Sequence, residues 1–578
     1  MLRRRLMLIA IAVAACATAF AARPRKKTAP VRPEGMPKGR LPWKRLFDGR
    51  SLKGWQVEGQ GVWTVEDGCI VGRQNPKTHS ESWLLSEAEW GDFVLVARFQ
   101  ITARGNSGIF FRAPKVRGHP GRMGYEMQIG GTDRRYPTGS IYDLAKAPPG
   151  LESGEWNRAM ICCIGKRLFT SVNGRVGAVV EAPKARSAKG RVGFQVHGGI
   201  NYSNMIVRFK DIYVAPIKAP AEARGGLRFR KVTLDLGTHE GAAVFDVDRD
   251  GKPDVVCGPV WYRNPTWKAY PIRDVAEGAG WWDLPFDVNG DGRTDLIAGG
   301  GFGKREHWYE NPGRPGRPWT PHEYLERKGH IEDMIVADMD GNGLVNDLVP
   351  NGNGLIQWLQ IAPGRKPKFT YRRVGSKGKG HGIGVGDISG DNRVDVVTPQ
   401  GWYQQPDKAT SSAWKWRGEF RLKGKPGVPI RVLDLNGDRA KDIVYGDTHG
   451  YGLWWLEQKR IGDTKRTWIE HVIDPSLAQA HSIAVGDING DKRPDLVTGK
   501  RWQAGNGEDP GDHEPTGLYW YEHDGTGQNW KRHVIDFNGG AGCGMGLQLH
   551  DLDGDKDLDV VAPGKGGLYL FVNEGASR

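Results

Sequence analysis

"DINGDKRPDLV", residues 487–497, puts carboxylates or amides at the first, third and fifth positions of a short turn and a further aspartate at the ninth. It then runs directly into apolar residues. The same unit recurs as "DVDRDGKPD" (246–254), "DVNGDGRTD" (287–295), "DMDGNGLVND" (338–347), "DISGDNRVD" (387–395), "DLNGDRAKD" (434–442) and "DLDGDKDLD" (551–559), which makes seven copies in all. Each is followed by an aromatic second strand, among them "VWYRNP", "HWYENP", "GWYQQP" and "LYWYEHD". Copies lie 41 to 64 residues apart, which suits four short strands per unit, and seven such units form a β-propeller. The strand at 227–236 is expected to complete the last unit.

Oxygen ligands at alternate positions of a tight turn converge on one point, as a hard cation such as Ca²⁺ requires, and bare carboxylates there would repel one another. The expected structural Ca²⁺ ligands are Asp246, Asp248, Asp250 and Asp254 in the first loop and Asp287, Asn289, Asp291 and Asp295 in the second. The third supplies Asp338, Asp340 and Asn342; the fourth, where Ser389 takes the third position, supplies Asp387, Asp391 and Asp395. Asp434, Asn436, Asp438 and Asp442 follow in the fifth, Asp487, Asn489, Asp491 and Asp495 in the sixth, and Asp551, Asp553, Asp555 and Asp559 in the last. Over residues 240–575 these loops resemble the FG-GAP repeats of integrin-type propellers.

Six residues before each loop, equivalent places on the inner strand carry Glu240, Trp281, Glu332, His381, Val428, His481 and Met545. A ring holding two glutamates and two histidines, with His239 and His330 beside it, is a candidate Zn²⁺ or Mn²⁺ site formed by Glu240, Glu332, His381 and His481. The competing reading is a polar, solvated channel. "HGIGVGDISGDNRVDVVTPQGWYQQP" and "HSIAVGDINGDKRPDLVTGKRW" also resemble the propeller of aldos-2-ulose dehydratase. That resemblance implies metal-assisted dehydration or isomerisation of a keto-sugar, although the cupin-type portion of that enzyme is lacking here.

The chain has 578 residues, too many for one core. Its 83 glycines, 35 prolines and 22 tryptophans, with turn signals every dozen residues or so, point to an all-β protein. Residues 1–22 read as a signal peptide, with Arg3, Arg4 and Arg5 ahead of "LMLIAIAVAA" and a small-x-small site at Ala19–Ala21. "VAAC" resembles a lipobox, so a lipid anchor on Cys16 is the alternative to soluble export to the periplasm or beyond. No later stretch reaches the roughly 20 apolar residues that span a bilayer. Residues 23–40 read as a flexible basic, proline-rich tether and 218–226 as a linker between a first domain, 41–217, and the propeller, 227–578. Part of the net charge of +15 lies in the leader and tether, and the remainder is scattered without aromatic platforms, so nucleic acid is not an expected partner. Five cysteines follow the leader in no metal-type spacing and read as small buried hydrophobes.

The first domain alternates in strands such as "FVLVARFQI", "SGIFFRA", "YEMQIGG" and "MIVRFKDIYV", which suggests two packed sheets of jelly-roll type. In "GYEMQI", Tyr125, Met127 and Ile129 point one way, while Glu126 and Gln128 face solvent or a cleft. The ordered motifs "LFDGRSLKGW", "WTVEDGCIVG", "GYEMQI", "TGSIYDL", "GEWNRAMI" and "VNGRV" resemble the 3-keto-disaccharide hydrolase domain, a concanavalin-like sandwich. The resemblance implies cleavage of a glycosidic bond beside a sugar oxidised at C3, so the expected partner is a carbohydrate. On it, Glu126 is the expected base, with Gln128, Arg112, Tyr142 and His197 positioning the sugar. Gly130 and Gly131 stand where that family suggests an acid, with Asp133 or Asp143 as substitutes. The alternatives are a non-catalytic carbohydrate-binding or adhesion protein and a purely structural surface protein.

Overall fold

A computed structural model describes residues 35–576 apart from residues 117, 131–134, 184–185, 221–225, 238–239, 274–281, 300–304, 327–330, 332–333, 352–354 and 462–464. The expected signal peptide with Cys16, and Asp133, Gly131, His239, Trp281, His330 and Glu332, lie outside the described residues.

The described chain is almost entirely β-structure. In the first domain, Trp55–Gly59, Ser82–Trp90, Gly190–Val196, Asn106–Ala113 and Tyr125–Gly130 form, in that order, a five-stranded sheet that packs on an eight-stranded one. The sandwich core lies between them and takes side chains from both: Leu95, Phe99 and Ile161 from the eight-stranded sheet, Ile109, Phe111 and Phe194 from the five-stranded one.

Strand Phe93–Ile101 reads apolar at consecutive positions because both its faces are buried. Phe93, Leu95, Ala97 and Phe99 enter the sandwich core, whereas Val94 and Val96 enter a second cluster on the outer face. Asn157–Ile164 divides the same way, with Cys163 inward and Met160 and Cys162 outward. The outer cluster includes Trp502 from the propeller, whose ring meets Phe169 edge-on at 5.1 Å and whose Nε1 donates to the Gly174 carbonyl at 2.9 Å. The ion pair Arg167–Asp536 at 2.8 Å reinforces this junction. All five described cysteines are buried.

The end of the expected tether is docked rather than loose. Met36 and Leu41 pack on the outer cluster, the Arg40 guanidinium lies 4.2 Å from the centre of the Tyr451 ring, and its Nη1 donates to the Pro475 carbonyl. Apolar contacts and cation–π attraction override the proline-rich composition here.

Among the described residues, the second region forms seven four-stranded sheets. Leu227–Asp235 pairs with Leu568–Ala576, so a strand from the start of the region completes the last sheet, as the sequence pattern predicts. The aromatic second strands fill the spaces between neighbouring sheets, where Trp261, Trp358, Trp402 and Trp455 are fully buried.

The ninth-position aspartates explain why the repeat has this form. Asp442 is fully buried; its Oδ2 accepts from the Leu435 amide in the turn and its Oδ1 from the Gln458 amide in the following strand. Asp254, Asp295, Asp347, Asp395 and Asp559 each make the same kind of double bond. The amide-bearing residue receiving the clamp then reaches the preceding sheet: Gln458 Nε2 faces the Ile388 carbonyl, Asn311 donates to Val247, Gln405 to Met339 and Asn573 to Ile488. Asn264 donates to Leu552, linking the first sheet to the last. Burial pushes these carboxyls up, to about 6 at Asp254 and about 7 at Asp442, while their backbone donors pull the other way.

Replacing Asp442 by alanine leaves two buried amides without acceptors, at about 1–3 kcal/mol each. Asp442→Ala is therefore expected to lower the chemical-denaturation midpoint substantially, whereas alanine at the exposed Asp407 leaves it unchanged; equal midpoints for both would refute the clamp.

Candidate active site

The pleat of Tyr125–Gly130 sends Tyr125, Met127 and Ile129 into the sandwich core and leaves Glu126 and Gln128 on the opposite face. That face floors a cleft of about 770 Å³, within the size range of small-molecule sites. Its walls come from the segment before Ser82–Trp90 (Glu81), the turn around the helix Pro120–Met123 (His119, Arg122) and the loop after Gly190–Val196 (His197, Gly198, Gly199, Tyr202). Tyr142 and Arg135 also line it.

Glu126 is 3% exposed. A β-carbon on Gly108 would stand 2.1 Å from its Oε1, and one on Gly121 2.7 Å from its Oε2. The carboxyl thus fits only because both neighbours are glycine. Burial, and secondarily the negative charge of Glu81, push its pKa up to about 8, so the group carries a proton at neutral pH. The role of base read from the sequence does not fit that protonation state, and a proton donor does.

Glu81 has the opposite character. Burial alone would raise it, but His119 Nε2 at 3.3 Å and the Gln195 amide, which donates to Oε1 at 2.6 Å, hold its carboxyl below the usual range. The Gly121 amide donates to His119 Nδ1 at 3.1 Å, so a neutral His119 ring carries its proton on Nε2 and presents it to Glu81. Two carboxyl groups thus line one cleft, the pKa of one pushed up and that of the other held down, the contrast that acid–base chemistry uses.

Of the other expected residues, Gln128 donates to Asn106 Oδ1 at 2.7 Å on the cleft floor. Tyr142 lines the cleft, and His197 meets Tyr202 edge-on at 4.9 Å. Arg112 is a correction. Strand alternation would aim it at the cleft, but it has φ +50° at a register shift, and its guanidinium turns away to Asp92 at 2.8 Å and to the carbonyls of Gly91 and Gly165. It holds the sandwich edge, while Arg122 and Arg135 are the arginines of the cleft. Asp143 is an exposed partner of Arg186 rather than a lining residue. Sequence reasoning missed Glu81 and His119, because only the pairing of Ser82 with Val196 sets Glu81 beside Gln195.

In the propeller, Glu240 makes a bidentate ion pair with Arg501 and does not share the group of converging side chains that holds His381 and His481. This removes it from the expected Zn²⁺ or Mn²⁺ set with His381 and His481, whose rings lie 6.1 Å apart. Among the acidic loops, carboxylate oxygens converge in those beginning at Asp246, Asp338 and Asp551. Arginines already neutralise several others: Arg293 pairs with Asp291, Arg393 with Asp391 and Arg493 with Asp491, and in the first loop Arg263 pairs with Asp248 and Asp250. Lys459 lies 3.8 Å from Asp438 in the fifth.

Residues 42–215 match the model of the 3-keto-alpha-glucoside-1,2-lyase-like domain, and residues 434–498 match that of the FG-GAP-like repeat. No curated protein matches the chain. Among solved structures, a provisionally named glycosyl hydrolase from Parabacteroides distasonis is 21% identical with a TM-score of 0.26, over 30% of this chain and 94% of its own. The carbohydrate-binding module CBM66 from Bacillus subtilis is 16% identical with a TM-score of 0.20, over 28% of this chain and 95% of its own. An Agrocybe aegerita lectin that recognises non-reducing terminal N-acetylglucosamine is 18% identical with a TM-score of 0.35, over 52% and 81%. These matches do not carry the resemblance of the propeller to aldos-2-ulose dehydratase. Among the described residues, no helix is long and apolar enough to cross a membrane.

Proposed function

We propose that the sandwich, a domain of the 3-keto-α-glucoside-1,2-lyase-like type, cleaves glycosides oxidised at C3. The observation that carries the reading is the pairing of a protonated Glu126 with an ionised Glu81 in one polar cleft. A C3 carbonyl acidifies the hydrogen at C2. Glu81 accepts that proton, the C2–H electrons form a C1=C2 double bond, and the C1–O bond breaks as Glu126 donates its proton to the departing oxygen. The products are an unsaturated 3-keto sugar and the free alcohol; water adding across the double bond then restores a 3-keto sugar. Gln128, Tyr142 and His197 face the space where sugar hydroxyls would bind. A signal peptide at 1–22, as the sequence suggests, would suit a protein that meets such glycosides outside the cytoplasm.

The test supplies a 3-keto-disaccharide and its unoxidised parent, following enone absorbance and alcohol release. The expected result is cleavage of the keto form only, with Glu126→Gln and Glu81→Gln each lowering kcat/KM by about 10²–10⁴-fold. Equal cleavage of the unoxidised sugar would contradict the proposal, and binding without turnover would leave a carbohydrate-binding module.

For structural Ca²⁺, the loops that suit it best are 338–347, where Asp338, Asp340 and the buried Asp347 converge, and 551–559, with Asp551, Asp553 and Asp559. There an ion would relieve repulsion that arginine relieves elsewhere. Chelation by EGTA is expected to lower the Tm of the wild type and to have a smaller effect on Asp338→Asn/Asp551→Asn; a Tm indifferent to chelation would rule structural Ca²⁺ out.

A further inference from the structure

Three histidines from three successive propeller sheets meet at one point. His381 precedes strand Gly384–Gly386, His449 sits in the turn between Asp442–Gly446 and Tyr451–Ile461, and His481 precedes Ile483–Gly486. Their ring centres are 5.3, 5.5 and 6.1 Å apart, and one nitrogen from each lies within 4.8 Å of the others.

The second nitrogen of each ring is held by an acceptor. His381 Nδ1 faces the Pro426 carbonyl at 3.2 Å, His481 Nδ1 the Gln479 carbonyl at 3.3 Å and His449 Nδ1 the Asp509 carboxylate at 2.5 Å. A nitrogen facing a carbonyl or carboxylate oxygen must be the donor, so each neutral ring keeps its proton on Nδ1 and presents a lone pair from Nε2. Carbonyl and carboxylate partners of this kind orient metal-binding imidazoles. Arg501, clamped by Glu240, donates to His481 Nε2 at 2.8 Å, so that nitrogen carries a lone pair, which the guanidinium holds.

We propose that His381, His449 and His481 bind one divalent transition-metal ion, with Asp509 orienting His449. Three imidazoles leave a fourth position open, as in zinc sites that hold water or substrate. Arg501 stands beside the cluster, so a bound ion would favour an anionic oxygen ligand there, such as hydroxide or a small carboxylate. Ion capture replaces the Arg501–His481 hydrogen bond while the Arg501–Glu240 pair stays intact. The segment 500–516 carries both Arg501 and Asp509, and its Trp502 is the residue that docks on the sandwich. The site is thus tied to the domain junction and is separate from the Glu126 cleft.

Co²⁺ titrated into the chelator-treated, dialysed full chain tests this. The expected result is about one equivalent bound with the intense visible bands of a four-coordinate, nitrogen-rich ion. His449→Ala should abolish those bands, Asp509→Asn should weaken binding by about 10–100-fold, and Glu126→Gln should leave it unchanged. Far-UV circular dichroism and the metal-free Tm establish that each variant is folded, and Asp509→Asn keeps the test open if His449→Ala is not. Absence of uptake, or only weak octahedral absorption that survives Asp509→Asn and His449→Ala, would overturn the proposal.

Discussion

The propeller depends on one repeated device, a buried aspartate whose two oxygens tie the turn of a sheet to its third strand. The residue receiving that bond is in most sheets an asparagine or glutamine, whose side chain reaches a carbonyl of the preceding sheet. Order within a sheet is thereby linked to order between sheets. A carboxylate buried without such donors would be costly, so each clamp both satisfies the aspartate and ties the turn to the strand. Asn264 extends the chain of bonds from the first sheet to the last.

This frame gives the sandwich a surface to rest on. The eight-stranded sheet is apolar on its outer face, and Trp502, Met36 and Leu41 cover it. The five-stranded sheet is thereby left as the face that meets solvent, and its Glu126 cleft opens there. Within the cleft, the decisive constraint is spatial. Gly108 and Gly121 leave the room that the Glu126 carboxyl occupies, and its burial pushes the pKa up to about 8. Glu81, bound by His119 and Gln195, offsets its desolvation through hydrogen bonds and stays charged.

The fold was legible because it rests on local regularities. Seven loops at comparable spacing, aromatic strands behind them and the apolar run "FVLVARFQI" each report a period or a buried face. Glu126 and Gln128 were legible for the same reason, since strand alternation separates them from Tyr125 and Met127. Glu81 and His119 were not, because they reach the cleft through pairings distant in sequence. Arg112, expected in the cleft on the family resemblance, turns away from it because a positive-φ bulge reverses its direction. His449 escaped a count of equivalent inner-strand positions because it lies in a turn between strands. The acidic loops looked alike in sequence, yet arginines at Arg263, Arg293, Arg393 and Arg493 pair with the aspartates of some of them and not of others.

The chemistry of the cleft rests on Glu126 holding a proton at neutral pH while Glu81 is ionised. Carboxyl ¹³C NMR of protein labelled at glutamate, titrated against pH, measures this directly. One resonance is expected to titrate near 8 and to disappear in Glu126→Gln, and another, lost in Glu81→Gln, to titrate below the ordinary glutamate range. If both residues titrate together in the ordinary range, the cleft holds no acid–base pair and the proposed chemistry fails.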